Sequence, residues 1–140
     1  MQKYFEIAYK ESLKSLKSND VPVGAIIVKK GKAISLGHNK RVKNNDVMGH
    51  AEIIAINKAT KRLKTYNLND CEMYVTLKPC SMCMEIINSS KLGKVNYLID
   101  KDIHKKEYKC QLEQTSVCNC LNNKYTELLS NFFIKFRGKS

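Results

Sequence analysis

Two short stretches of this chain restrict its fold more than any other feature. They are GHAEII at residues 49–54 and KPCSMC at residues 78–83. The Cys-x2-Cys spacing lets Cys80 and Cys83 grip one zinc ion, and the chain has no second such pair to complete a closed structural site. His50 would be a third ligand, and three protein ligands leave the fourth position to water, as in catalytic zinc sites. The fold would then have to bring two separate segments to one point.

Glu52 is the second residue of interest in the first stretch. Residues two apart point about 200° apart on a regular helix, so His50 and Glu52 can converge only if His50 precedes the helical dihedrals. Gly49 permits such a start. The sequence H-x-E followed by P-C-x-x-C, here with Pro79, is the known signature of zinc-dependent nucleobase deaminases. We therefore predict one zinc ion per chain and a catalytic Glu52 that moves protons without binding the metal.

Composition limits the class of protein. A length of 140 residues suits one domain, 1–140, and the apolar runs are too short for a membrane span or a secretory signal. We therefore expect a cytoplasmic protein without membrane contacts, whose six cysteines stay reduced or bind metal. The net charge of +12 favours a polyanionic partner, nucleic acid first, although a solvated lysine-rich surface explains it equally well.

The spacing of apolar residues predicts alternating helices and strands. We expect helices at 2–17, 52–62, from Pro79 to about Ser89, and 124–137. Strands are expected at 23–29, 33–37, 72–77, 94–99 and, as a short strand, 115–119. A polar loop is expected at 40–46, whereas residues 101–120 as a whole give no firm prediction. This alternation is typical of an α/β sandwich around one sheet.

Most of the chain also resembles the bacterial tRNA adenosine deaminases, of the zinc-dependent cytidine and deoxycytidylate deaminase superfamily. The resembling segments are VPVGAIIV (21–28), GHN (37–39), HAEIIAI (50–56), MYVTLKPCSMC (73–83) and LLSNFFIKFR (128–137). The resemblance implies a three-layer α/β/α sandwich with a mixed five-stranded sheet, and a homodimer.

The resemblance also implies a reaction. It is the hydrolytic deamination of adenosine to inosine at the wobble position of a tRNA anticodon, by zinc-bound hydroxide with Glu52 as the proton shuttle. The implied partner is an anticodon stem-loop, that of an arginine tRNA. Two alternatives stay open at this point: a deaminase of a free small substrate, such as guanine or a cytosine nucleotide, and a non-catalytic RNA-binding subunit that contains zinc.

Substrate contacts follow from the same resemblance. Asn39 would contact the flipped nucleoside, although an asparagine also suits the exit of a hairpin. Val23 would line the nucleoside pocket, or belong to the core. Phe132 and Phe133 would lie near the anticodon loop, or pack their helix on the domain. The full set of implied substrate-binding residues is Asn39, Val23, Ala51, Pro79, Phe132 and Phe133, with a basic rim of Lys135, Arg137 and Lys139 beyond it.

The chain departs from the family in three places. Lys78 stands where the family usually has glutamate, and Val47-Met48-Gly49 replaces a Pro-x-Ala lead-in to the histidine. LIDKDIHKKEYKC, residues 98–110, replaces a loop of small residues that lies near RNA in the family. The last of these departures bears on RNA contacts and specificity rather than on zinc chemistry.

The remaining cysteines and histidines match no ligand pattern. Cys110, Cys118 and Cys120 lack the spacing of a zinc site, so we predict no second metal. His38 and His104 are expected to be structural or exposed.

Overall fold

A computed structural model describes residues 2–100, 111–115 and 119–137. It begins with α1 (Gln2–Leu13), followed by a 3₁₀ helix (Lys14–Ser18). The strands are β1 (Gly24–Lys29), β2 (Lys32–His38), β3 (Cys71–Leu77), β4 (Lys94–Ile99) and β5 (Gln111–Gln114). The other helices are α2 (Arg41–Asn44), α3 (Ala51–Leu63), α4 (Ser81–Ser90) and α5 (Asn119–Arg137).

The five strands form one mixed sheet in the order β2-β1-β3-β4-β5. Strand β1 is antiparallel to both β2 and β3, whereas β3, β4 and β5 are parallel to their neighbours. The predicted mixed five-stranded α/β sheet is confirmed. Parallel strands need crossover connections, and α4 supplies the one between β3 and β4.

Helices cover both faces of the sheet, as the three-layer prediction requires. On one face, alternate strand residues such as Ile27 and Met73 pack against α3 and α4. On the other face, Ile26 and Tyr74 pack against α1 and α5, where Phe5, Tyr125 and Leu129 are buried. Adjacent strand residues point to opposite faces, so nearly every residue of β1 is buried in one layer or the other. No helix among the described residues is long and apolar enough to span a membrane.

Three predictions of secondary structure are wrong. The last strand lies at 111–114 rather than 115–119, because its position is fixed by pairing with β4, which no local pattern reveals. Helix α5 begins at Asn119 rather than 124, since Leu121 adds a buried residue to its apolar face. Residues 41–44, expected in a loop, form the short helix α2.

Several of the remaining predictions concern single residues. His38 is structural, since its Nδ1 lies 2.6 Å from a carboxylate oxygen of the buried Glu11. Cys120 is exposed and has a free thiol. The predictions for His104, Cys110 and Cys118 lie outside the described residues.

Helix α3 lies directly on the backbone of β2 at Gly37. A Cβ atom at Gly37 would overlap the carbonyl oxygen of Ala51 and crowd the amide nitrogen of Ala55. One turn away, the Ser35 hydroxyl donates a 2.7 Å hydrogen bond to the Ala55 carbonyl. This close approach sets the height of the first turn of α3 above the sheet.

Substitution of Gly37 tests that contact. We expect Gly37→Ala to lower the free energy of unfolding by about 1–3 kcal/mol, because the added methyl group meets helix backbone that cannot rotate away. Lys32→Ala, at an exposed position of the same strand, is expected to change it by less than about 0.5 kcal/mol. Urea denaturation of both variants checks this, and equal stabilities would contradict the close packing of α3 on β2.

Candidate active site

The site lies at one edge of the sheet, where two strands end. Strands β2 and β3 flank β1 and run in the same direction, because each is antiparallel to it. Their C-terminal ends therefore reach the same edge, and the starts of α3 and α4 follow them there. His50 occupies the N-cap of α3 and Cys80 that of α4. The sheet thus brings the two sequence stretches together.

Three potential ligands converge at this edge. The donor atoms of His50, Cys80 and Cys83 all lie within 4.8 Å of one another. His50 has extended dihedrals, φ −85° and ψ 144°, so the predicted non-helical start is confirmed. Cys80 is also extended and exposed, whereas Cys83 is buried in the first turn of α4. The Cys-x2-Cys spacing predicts two thiols on nearly the same face of one helix, but Cys80 lies at the N-cap with extended dihedrals and only Cys83 lies within α4.

The donor set suits a metal ion. One imidazole and two thiols are ligands that favour zinc over the oxygen-binding cations. Glu52, next to the cluster, is only 4% exposed, and its Oε1 atom has no hydrogen-bond partner among the described residues. A buried carboxylate oxygen without a partner costs free energy, so the site is incomplete without a further polar group. These residues fit a metal site in which Glu52 faces a non-protein ligand or substrate.

Burial sets the protonation of Glu52, and hydrogen bonds within the cluster set that of the three potential ligands. Burial raises the pKa of Glu52 to about 7, so both of its protonation states are accessible near neutral pH. The hydrogen bond with Cys83 lowers the pKa of Cys80 to about 3, whereas the same bond and burial raise the pKa of Cys83. A hydrogen bond to Cys80 raises the pKa of His50, against the opposing effect of burial. The cluster thus readily holds one thiolate, and a bound cation would favour the second.

A cleft of about 690 Å³ opens over the cluster. Its size suits a nucleoside, since small-molecule pockets typically measure about 300–1,000 Å³. The residues that border the cleft come from the segment before β1, the segment after β2, the starts of α3 and α4, the end of β3, and α5. They include Val23, Asn39, His50, Glu52, Leu77, Cys80 and Phe133.

Asn39 connects the cleft wall to the ligand cluster. Its Oδ1 atom accepts a 2.8 Å hydrogen bond from the backbone N–H of Ala51, and its own N–H donates to the Val23 carbonyl at 3.3 Å. Asn39 therefore holds the start of α3 against β1 and borders the cleft at the same time. Val23 is likewise part of the core, at 5% exposure, and part of the cleft wall. The structural role given for each residue is therefore seen, and contact of either residue with a nucleoside stays a prediction.

Of the other implied substrate-binding residues, some border the cleft and some do not. Ala51 and Pro79 are buried and do not border the cleft, since Ala51 packs toward the sheet core. Phe133 borders the cleft, whereas Phe132 borders a smaller adjacent cavity of about 220 Å³ together with Lys135. The two rings pack edge to face, 5.4 Å between centroids. The side chain of Arg137 and all of Lys139 lie outside the described residues.

Sequence reasoning missed Asp20 and Tyr125. The buried Asp20 carboxylate accepts hydrogen bonds from the N–H groups of Val42, at 2.7 Å, and Lys43, at 3.3 Å, and so caps α2 beside the cleft. The Tyr125 hydroxyl donates a 2.7 Å hydrogen bond to the Pro22 carbonyl and holds the start of β1. Both contacts join parts of the chain that are distant in sequence, so local patterns do not predict them. For Asp20, the one available signal was an aspartate in a stretch that favours turns.

Comparison with known proteins places the chain among zinc deaminases. Residues 1–99 match the family model described as the cytidine and deoxycytidylate deaminase zinc-binding region. A tRNA-specific adenosine deaminase of Buchnera aphidicola is 34% identical over 138 residues, 93% of this chain and 91% of that protein. One of Aquifex aeolicus is 44% identical over 92 residues, 66% of this chain. The match spans only 61% of the Aquifex protein's length.

Solved structures show the same fold. One, from studies of A-to-I editing by tRNA:A34 deaminases, has a TM-score of 0.81 at 24% identity and covers 92% of this chain and all of its own. A guanine deaminase of Bacillus subtilis has a TM-score of 0.67 at 28% identity, with 90% of this chain and 92% of that chain covered. The fold is therefore cytidine deaminase-like.

Metal analysis tests the ligand cluster. We expect purified protein to carry one equivalent of zinc and Cys83→Ser to lose most of it, because one of three donors is replaced by a weak one. Cys120→Ser, which alters an exposed thiol on α5, is the matched control and should keep its zinc. Equal zinc content in the two variants, measured by elemental mass spectrometry, would contradict the assignment of the cluster.

Proposed function

The chain belongs to the cytidine and deoxycytidylate deaminase zinc-binding family, and from this membership we propose that it hydrolyses adenosine to inosine at the wobble position of a tRNA anticodon. The observation that carries the proposal is the buried Glu52 oxygen, without a partner among the described residues, beside the His-Cys-Cys cluster and at the cleft. The tRNA-specific name of the Buchnera relative, which aligns over almost the whole chain, supports the choice of substrate.

The proposed reaction needs a metal ion that supplies hydroxide and a carboxyl group, Glu52, that transfers protons. His50, Cys80 and Cys83 would hold zinc, which supplies hydroxide at neutral pH by lowering the pKa of water to about 7. Glu52 would take one proton from the attacking water and donate it to the ring nitrogen beside the carbon under attack. It would then move the remaining proton of that water to the amino group, and the C–N bond would break to release ammonia and leave the water oxygen on the ring carbon as a carbonyl. A pKa of about 7, raised by burial, suits a group that must take and give protons in one cycle.

The cleft residues would orient the nucleoside. Asn39 borders the cleft from a fixed position, because its backbone and Oδ1 atom are both hydrogen-bonded. Val23 and Phe133 offer apolar surface on which a base can pack. A wobble base is already unpaired in the anticodon loop, so its extrusion into the cleft costs little.

The net charge of +12 supports RNA over a free base as the substrate. A deaminase of free bases gains nothing from such an excess, whereas an anticodon loop presents phosphates to neutralise. The second candidate is deamination of guanine, favoured by the 28% identity and TM-score of 0.67 to the Bacillus subtilis guanine deaminase. A non-catalytic zinc subunit is less consistent with Glu52, because a binding module has no use for a buried carboxyl beside the metal.

Three further parts of the proposal rest on the resemblance. They are assembly into a homodimer, an arginine tRNA as the substrate and a cytoplasmic location. Each stays a prediction.

Product analysis tests the activity. Zinc-replete protein is expected to form inosine only at the wobble position of an arginine tRNA anticodon stem-loop. Glu52→Gln should slow this by about 10²–10⁴-fold, because the general acid–base is lost. Glu85→Gln, at an exposed position of α4, is the control and should retain activity. No inosine from the folded, zinc-replete protein, with turnover of guanine instead, would establish the second candidate.

Salt dependence tests the substrate class separately. If about five phosphates of single-stranded RNA are contacted, the logarithm of the binding constant falls with a slope of about −3.5 against the logarithm of salt concentration. Affinity for the stem-loop should then fall roughly a hundredfold between about 50 and 200 mM salt. A flat salt dependence, measured by fluorescence anisotropy, would argue for a small uncharged substrate.

A further inference from the structure

Two basic residues on separate segments of the chain border the cleft. Arg41 follows β2, Lys78 follows β3, and both border the cleft. The start of β1, with Val23, lies between them, because β1 is paired with both strands. Strands β2 and β3 are two strand spacings apart, about 10 Å. Neither cation takes part in the chemistry assigned to Glu52 and the ligand cluster.

Lys78 is held in place rather than left mobile in solvent. Its side chain is 12% exposed, and its Nζ atom lies 5.9 Å from the centroid of the Tyr97 ring. A carboxylate oxygen of Asp100 is 3.7 Å from the Nζ atom, close to the outer limit for an ion pair. The Lys78 backbone is fixed as well, since its N–H donates to the Ile99 carbonyl at 2.9 Å. An immobilised ammonium group that borders a cleft retains the capacity to bind a ligand anion.

Arg41 is the less constrained of the two cations. It is exposed at the first position of α2, and its guanidinium has no ion pair or hydrogen bond within the described ranges 2–100, 111–115 and 119–137. Two acidic residues also border the cleft, and both oxygens of the first and one oxygen of the second accept backbone hydrogen bonds. Asp20 accepts from the N–H groups of Val42 and Lys43, and Asp46 from that of Met48. The guanidinium is therefore available to a ligand.

We propose that Arg41 and Lys78 bind the two backbone phosphates that flank the nucleoside in the cleft. A nucleotide within an RNA chain carries a phosphate on each side of its sugar, so an extruded nucleoside brings two anions to the residues that border the cleft. Arginine binds phosphate through paired N–H donors, and lysine binds it as a point charge. A free base has no phosphate and a mononucleotide has one. The inference rests on the proposed RNA substrate and specifies which residues recognise the strand.

Binding without turnover tests this pair of contacts. The probe is a fluorescent anticodon stem-loop with inosine at the wobble position, which has no amino group to lose, and the protein is zinc-replete. Arg41→Gln and Lys78→Gln should each flatten the salt slope of the binding constant by about 0.7, and the double variant by about 1.4. Lys94→Gln is the matched control, because Lys94 pairs with Glu113 at 2.7 Å at the opposite edge of the sheet. Its slope should equal that of the unaltered protein.

The outcomes separate this inference from the proposed activity. Unaltered slopes in both cleft variants would overturn the phosphate contacts, even if the protein forms inosine. Flattened slopes in a protein that forms no inosine would support the contacts and overturn the activity. A competition experiment measures whether adenosine 5′-monophosphate displaces the labelled stem-loop. Displacement of the stem-loop by the mononucleotide at equal concentration would overturn the two-phosphate arrangement, since one phosphate would then suffice.

Discussion

The site depends on a carboxyl group that is kept out of water and has one oxygen without a hydrogen-bond partner within the described part of the chain. Burial of Glu52 costs free energy in the resting protein, because one of its oxygens is unsatisfied, and it raises the pKa of the carboxyl to about 7. A loose structure would relieve this cost by exposing the side chain. Helix α3, which carries Glu52 in its first turn, lies directly on the backbone of β2 at Gly37, where an added Cβ atom would overlap the Ala51 carbonyl oxygen.

Two strand ends and one asparagine give this carboxyl its surroundings. The shared direction of β2 and β3 delivers His50 and Cys80 to one edge, and Asn39 ties the first N–H of α3 to the exit of β2. The same asparagine borders the cleft, so one residue both positions the start of α3 and forms part of the cleft wall. If the proposed substrate binds there, a substitution of Asn39 would alter stability and binding together.

The sequence predicted the parts of the site that depend on local geometry. The non-helical start at His50 followed from the two-residue separation from Glu52, and the mixed α/β sheet followed from periodicity and resemblance. Predictions failed where distant segments decide the structure. The position of strand β5 is fixed by its pairing with β4. Helix α2 is capped by Asp20, which accepts a hydrogen bond from the N–H group of Val42, 22 residues later in the chain. The presence of both Arg41 and Lys78 in the cleft wall could not be predicted either, since it depends on β2 and β3 lying on the two sides of β1.

One measurement tests the central claim, that Glu52 and the His-Cys-Cys cluster direct a water molecule to the nucleoside in the cleft. The reaction with an adenosine-containing anticodon stem-loop is run in water enriched in the heavy oxygen isotope, and the wobble nucleoside is analysed by mass spectrometry. The account predicts inosine that carries one heavy oxygen at its carbonyl, in every product molecule to the extent of the enrichment. Absence of inosine, or inosine without solvent oxygen, would contradict it.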